Sequence, residues 1–132
     1  VVYDNPMQIF AGNPSQGWLE PKFTELLGSL PTTWDETNVL DGKVGEYIVT
    51  ARQHSGNWYI GGMSNWSPRD IELKFDFLDD NASYTATICK DGVNAGRYPA
   101  DYLISETTIK KGDALKLKLA PGGGFLVRLM KK

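Results

Sequence analysis

Two periods of apolar residues divide this chain. From Thr32 onward apolar and polar residues alternate in short runs separated by turn-forming residues, the pattern of β-strands with one dry face. Tyr47, Val49 and Ala51 alternate with Ile48, Thr50 and Arg52. After His54-Ser55-Gly56-Asn57 the run Trp58 to Met63 returns, which predicts a hairpin. Ile71, Leu73 and Phe75 alternate with Asp70, Glu72 and Lys74, and Leu115, Leu117 and Leu119 alternate with Lys116 and Lys118. Tyr84, Ala86 and Ile88 against Thr85 and Thr87 predict another strand, as do Phe125, Val127 and Leu129 after the turn Ala120-Pro121-Gly122-Gly123-Gly124. With a strand over Thr33 to Leu40 seven runs are marked, and the expected total is about eight, at the spacing of an antiparallel β-sandwich of Greek-key type. A parallel sheet is excluded. The segment from Asp91 to Asp101 is the one connection long enough for a crossover, and its Gly, Asn, Asp and Pro content makes it a surface loop.

Before Thr32 the spacing is helical. Met7, Ile9, Phe10 and Ala11 form a short apolar turn that Gly12-Asn13-Pro14 stops. Pro21 suits the first position of a second helix, whose stripe is Phe23, Leu26, Leu27 and Leu30 and whose end is marked by Gly28 and Pro31. Two short helices cannot bury such stripes by themselves, and docking on a domain outside this sequence is the expected arrangement. The division is therefore 1–31, linker helices, and 32–132, an all-β unit. The opening Val1-Val2-Tyr3-Asp4-Asn5-Pro6 starts within an apolar stretch and without Met, as expected of a piece of a longer polypeptide.

Composition narrows the function. The 132 residues suffice for one core. A formal net charge of −2, with both signs interspersed, gives no electrostatic footprint for nucleic acid. The longest apolar runs are only a few residues against the roughly 20 a membrane helix needs, and no leader pattern opens the chain. Cys89 is the single cysteine, so neither an internal disulfide nor a cysteine-based metal site can be built.

Candidate chemistry is sparse. Asp35-Glu36 is an adjacent acid pair, but neighbours in a strand point to opposite faces and cannot flank one bond, so capping or surface charge is the expected role. Asp79-Asp80-Asn81 supplies turn chemistry, without the further ligands of a calcium loop. His54 lies beside the Ser55-Gly56 turn with no acid or cysteine at ligand spacing, and reads as a solvated loop histidine. No G-x-S-x-G occurs, and the triple glycine opens a strand where a phosphate cradle needs a helix. No catalytic or metal-binding residue is assigned. The aromatic residues are the remaining candidates. Trp58 alternates with Ile60 and should point inward, whereas Trp66, Trp34 and Tyr59 are candidates for stacking on sugar rings, Trp66 first because Asn65, Ser67 and Pro68 place it in a turn.

The order of motifs Leu30-Pro31-Thr32-Thr33-Trp34-Asp35-Glu36-Thr37, Leu40 to Tyr47, Asn57-Trp58-Tyr59-Ile60-Gly61-Gly62-Met63, Ile88-Cys89-Lys90-Asp91-Gly92 and Leu117 to Gly124 resembles the carboxy-terminal region of glycoside hydrolase family 97. The resemblance extends over Val2 to Pro6 and Phe10, which look like the end of that family's barrel. It implies a parent α-glucosidase or α-galactosidase exported to the bacterial periplasm, built from an amino-terminal β-sandwich, a (β/α)8 barrel and this β-domain. It further implies that catalytic carboxylates and calcium ligands lie upstream of this chain. The domain itself is expected to be non-catalytic, to pack on the catalytic barrel of the same polypeptide and to contribute to a homo-oligomer contact. A carbohydrate-binding module that holds an α-glycan through exposed tryptophans is the alternative.

Overall fold

The computed structural model describes residues 1–9 and 11–132, and Phe10, assigned above to the apolar turn and the barrel end, lies outside them. Eight strands form two antiparallel sheets. β1 (Glu36–Lys43), β2 (Tyr47–His54), β3 (Asn57–Ser64), β5 (Ser83–Asp91), β6 (Tyr102–Lys110) and β8 (Gly124–Lys131) make a six-stranded sheet in the order β1-β2-β3-β8-β5-β6. β4 (Arg69–Lys74) and β7 (Ala114–Leu119) make a two-stranded sheet. β8 returns to lie beside β5, the first of the last four strands, which is a Greek-key connection split between two sheets. The expected all-β sandwich is what forms.

The β2–β3 hairpin turns where the sequence marks it. Ser55 and Gly56 both have positive φ, 51° and 78°, the pair of left-handed residues that a tight hairpin turn demands. Between the sheets lies one core. The six-stranded sheet contributes Val49, Ala51, Ile60, Val127, Leu129 and Tyr84, and the small sheet contributes Ile71, Leu73, Leu117 and Leu119. Trp58 is buried as its alternation with Ile60 requires, with its ring 4.9 Å from Phe77 in a T-shaped contact. Each such side chain removed from water contributes about 1.5–3 kcal/mol, which is why the charged faces of β4 and β7 can stay wet at little cost.

The strand expected over Thr33 to Leu40 starts later, at Glu36. Asp35 is spent on the neighbouring turn instead: its carboxylate accepts the Ser55 N–H at 2.7 Å, while its own N–H donates to the Gln53 carbonyl at 2.8 Å. A register shift between Val39 and Asp41 then makes Leu40 the extra residue of a β-bulge.

The amino-terminal segment departs further from expectation. Met7 and Ile9 are exposed and belong to no helix, and α1 runs over Pro14–Leu19. Pro14 opens a helix here, because its fixed φ and missing N–H suit a first turn as well as they suit a stop. The Asn13 carboxamide oxygen accepts the Ser15 N–H at 3.2 Å. α2 (Pro21–Gly28) forms and ends as predicted, but its stripe docks on this chain's own large sheet. Leu26 is buried, the Phe23 ring stands 5.1 Å from Tyr102, and the Arg128 guanidinium donates to the Ser29 hydroxyl at 2.8 Å. Tyr102 donates its hydroxyl proton to the Glu20 carboxylate. The sandwich thus has a third layer on the outer face of the six-stranded sheet.

Where β3 meets β8 the fit is tight. Phe125 opposes Gly62, and a Cβ added at Gly62 would stand 2.2 Å from the Phe125 ring. The ring lies across the glycine and fills the place of its missing side chain. Gly62→Ala must push that buried ring aside, and we expect it to lower the unfolding free energy in urea by about 1–3 kcal/mol.

Candidate functional site

Most of the acidic side chains hold backbone N–H groups, polar side chains or cations. Glu36 accepts from the Asn38 carboxamide at 2.7 Å, and the Asp41 carboxylate accepts the Gly42 N–H at 2.8 Å and the Tyr47 hydroxyl at 3.0 Å. Asp91 accepts the N–H groups of Ala120 at 2.8 Å and Gly124 at 3.4 Å, so one carboxylate holds both ends of the glycine turn. Asp101 accepts the Asn94 N–H at 2.7 Å. In the groove between residues 76–83 and 110–112 the acids Asp76 and Asp80 stand with Lys110 and Lys111, and Lys111 meets Asp80 at 3.0 Å. Glu46 bridges Lys43 and Arg69, the latter at 3.0 Å. Among the described residues no three or more His, Cys, Asp or Glu side chains converge as metal ligands would. General acid–base cleavage of a glycoside needs two carboxyl groups across a bond, one protonated and one ionised, and apart from Asp76 these acids are engaged elsewhere.

His54 is the last residue of β2, half-buried, rather than a solvated loop residue. Cys89 is buried on β5, and burial, with the Asp91 charge nearby, pushes its thiol above the usual range, which keeps it in the unreactive protonated form.

The pair Asp79 and Lys131 meets at 2.8 Å, and the Tyr84 hydroxyl donates to the same carboxylate at 3.1 Å. The Lys131 hydrogen bond first, and then that of Tyr84, hold the Asp79 carboxyl below its ordinary value. A carboxylate whose folded-state pKa is depressed adds stability above its unfolded-state pKa, and that contribution disappears as pH falls through the lowered value. The urea midpoint of Asp79→Asn should therefore lie below that of the unaltered chain at neutral pH, and the gap should close in acid.

Three aromatic candidates separate by exposure. Trp66 is 86% exposed, and one edge of its ring rests on the glycine turn, where a Cβ on Gly122 would stand 3.3 Å from it. Gly122 has φ 69° and donates its N–H to the Asn65 carbonyl at 2.7 Å, which fixes the ring's support. Trp34 is half-buried, edge-on to Tyr59 at 5.5 Å, with the Arg52 guanidinium 5.7 Å from its ring. Tyr59 is only 5% exposed and has no open face to offer a sugar, a correction to its place among the candidates. It sits on the outer side of β3, which alternation alone marks as the wet side, but Trp34 covers it.

Alternation missed a further surface. On the outer side of β1, β2 and β3, Val39 is 67% exposed, and Ile48 and Met63, which oppose each other across β2 and β3, are partly exposed as well. The signal was legible as apolar residues at positions that alternation reserves for polar ones. Beside this strip the outer face is covered: Val1 and Val2 pack on the bare backbone of Gly61, and buried Arg52 donates to Asp4 and Thr37, each at 3.2 Å. Among the described residues β1 is an edge of the large sheet, with β2 as its one strand neighbour.

Comparison with known proteins places this arrangement. A retaining α-galactosidase from Bacteroides thetaiotaomicron is 50% identical over 129 residues, 98% of this chain and 19% of its own length. A probable retaining α-galactosidase from Streptomyces bingchenggensis is 29% identical over 95% of this chain and 18% of its own. Among solved structures, a glycoside hydrolase family 97 enzyme from a Pseudoalteromonas species, in complex with panose, superposes with a TM-score of 0.86 at 33% identity, over 91% of this chain and 20% of that one. The chain thus spans about a fifth of the relatives it matches. The family described as glycosyl-hydrolase 97 C-terminal, oligomerisation, matches residues 33–130, and this chain belongs to it.

Proposed function

We propose that this chain is the non-catalytic, assembly-supporting domain of a retaining α-galactosidase of family 97, packed on the catalytic unit of the same polypeptide. The observation that carries the reading is the use of the acidic side chains: those of Asp35, Asp91 and Asp101 hold turns and loops, that of Asp41 holds Gly42 of its own strand and Tyr47, and those of Glu46, Asp79 and Asp80 hold lysines or arginine. The α-galactoside preference and the retaining mechanism are supported by the names of the Bacteroides and Streptomyces relatives. On this reading the catalytic carboxylates, any calcium and the signals for export to the periplasm belong to other parts of the parent enzyme.

Incubated with p-nitrophenyl α-galactoside or α-glucoside, the chain alone is expected to give no turnover. Hydrolysis that Asp35→Asn or Glu36→Gln abolishes would sink the proposal.

The exposure of Trp66 favours a second role, contact with an α-glycan through its open ring face. Stacking of this kind predicts weak binding of maltooligosaccharides or α-galactosides in a fluorescence titration, lost in Trp66→Ala. Equal binding by that variant would remove the second role.

A further inference from the structure

We propose that β1 is the contact through which two copies of this chain associate, pairing antiparallel with its counterpart about a two-fold axis at Val39 and continuing the six-stranded sheet from one copy into the other. This rests on the assembly role argued above and adds the strand and its register. β1 lies at the end of the strand order, so its outer edge carries backbone donors and acceptors with no strand to meet them.

The bulge sets the register. Residues opposed in an antiparallel pair share a face, so a regular strand can oppose itself only at residues an even number apart. Glu36 and Lys43 would then fall on opposite faces. The shift between Val39 and Asp41 reverses this: Glu36, Asn38, Asp41 and Lys43 oppose Gln53, Ala51, Val49 and Tyr47, whereas Thr37, Val39 and Gly42 oppose Arg52, Thr50 and Ile48. With Leu40 the extra residue in both copies, an axis at Val39 opposes Glu36 to Lys43, Thr37 to Gly42 and Asn38 to Asp41, each pair occurring twice and on a common face.

Charge selects the partner. Each Glu36 meets a Lys43 of the second copy, and that lysine also bridges Glu46 of its own chain. On the opposite face Val39 meets Val39, and the exposed Ile48 and Met63 extend an apolar strip to either side of the axis. Edge charges and a bulge ordinarily discourage strand addition, and here they complement an antiparallel copy of the same strand. The other edge, β6, lacks this property, because pairing about its midpoint sets Glu106 against Glu106.

Sedimentation equilibrium of the chain over a concentration series tests the register. The unaltered chain is expected to dimerise. Val39→Asp, Glu36→Lys and Lys43→Glu should each weaken dimerisation by about tenfold or more. These side chains are exposed, so far-UV circular dichroism should be unchanged. The double variant Glu36→Lys with Lys43→Glu should recover most of the loss, which a merely damaged fold would not do. A dimer indifferent to Val39→Asp, or a double variant no tighter than the single ones, overturns the register while leaving the assembly role intact. A chain that stays monomeric throughout overturns β1 as the contact, and the absence of hydrolysis by this chain remains a separate measurement.

Discussion

Everything in this domain depends on β8 being held between two strands distant in sequence. β3 and β5 meet only through it, and the six-stranded sheet exists because one strand satisfies both neighbours' backbone groups. Two contacts fix its position. Phe125 lies across Gly62 on the β3 side, and the Asp91 carboxylate, at the end of β5, ties down the turn that leads into it. A slip of one residue would turn Phe125, Val127 and Leu129 out of the core, so the inner face resists it as well.

Much of this was legible because alternation is a local signal. The β2–β3 hairpin, β4, β7 and β8 follow from side chains that point alternately to oil and to water, and Ser55-Gly56 announces its own turn. What escaped was relational. Pro14 is compatible with either end of a helix, and sequence alone did not show that it begins one. The stripe on α2 says that something apolar covers it, and not that the cover is Tyr102 and its neighbours on this chain. Asp91 reads as an ordinary loop residue until folding brings the 120–124 turn beside it, and Tyr59 reads as exposed until Trp34 lies against it.

The same distinction separates the surfaces available for function. The middle of the outer sheet face is closed by α2, by the first residues of the chain and by Trp34, while the side near β1 is left open with Val39, Ile48 and Met63. Acidic side chains such as Asp35, Asp79 and Asp91, which suggest chemistry when read along the sequence, are in three dimensions part of the scaffolding. A domain organised in this way offers surfaces more readily than pockets, which accords with membership of a family described by oligomerisation.

The glycine turn ahead of β8 carries a consequence for synthesis. A Cβ at Gly123 would fall 1.9 Å from the Asp91 carboxylate, so the turn can close only over a group placed there by β5. In the strand order only β8 joins β1-β2-β3 to β5-β6, so without it the inner edges of β3 and β5 have no partner. Of the eight strands the closing one comes last in sequence, so a nascent chain held short of it presents two open templates for unwanted strand exchange.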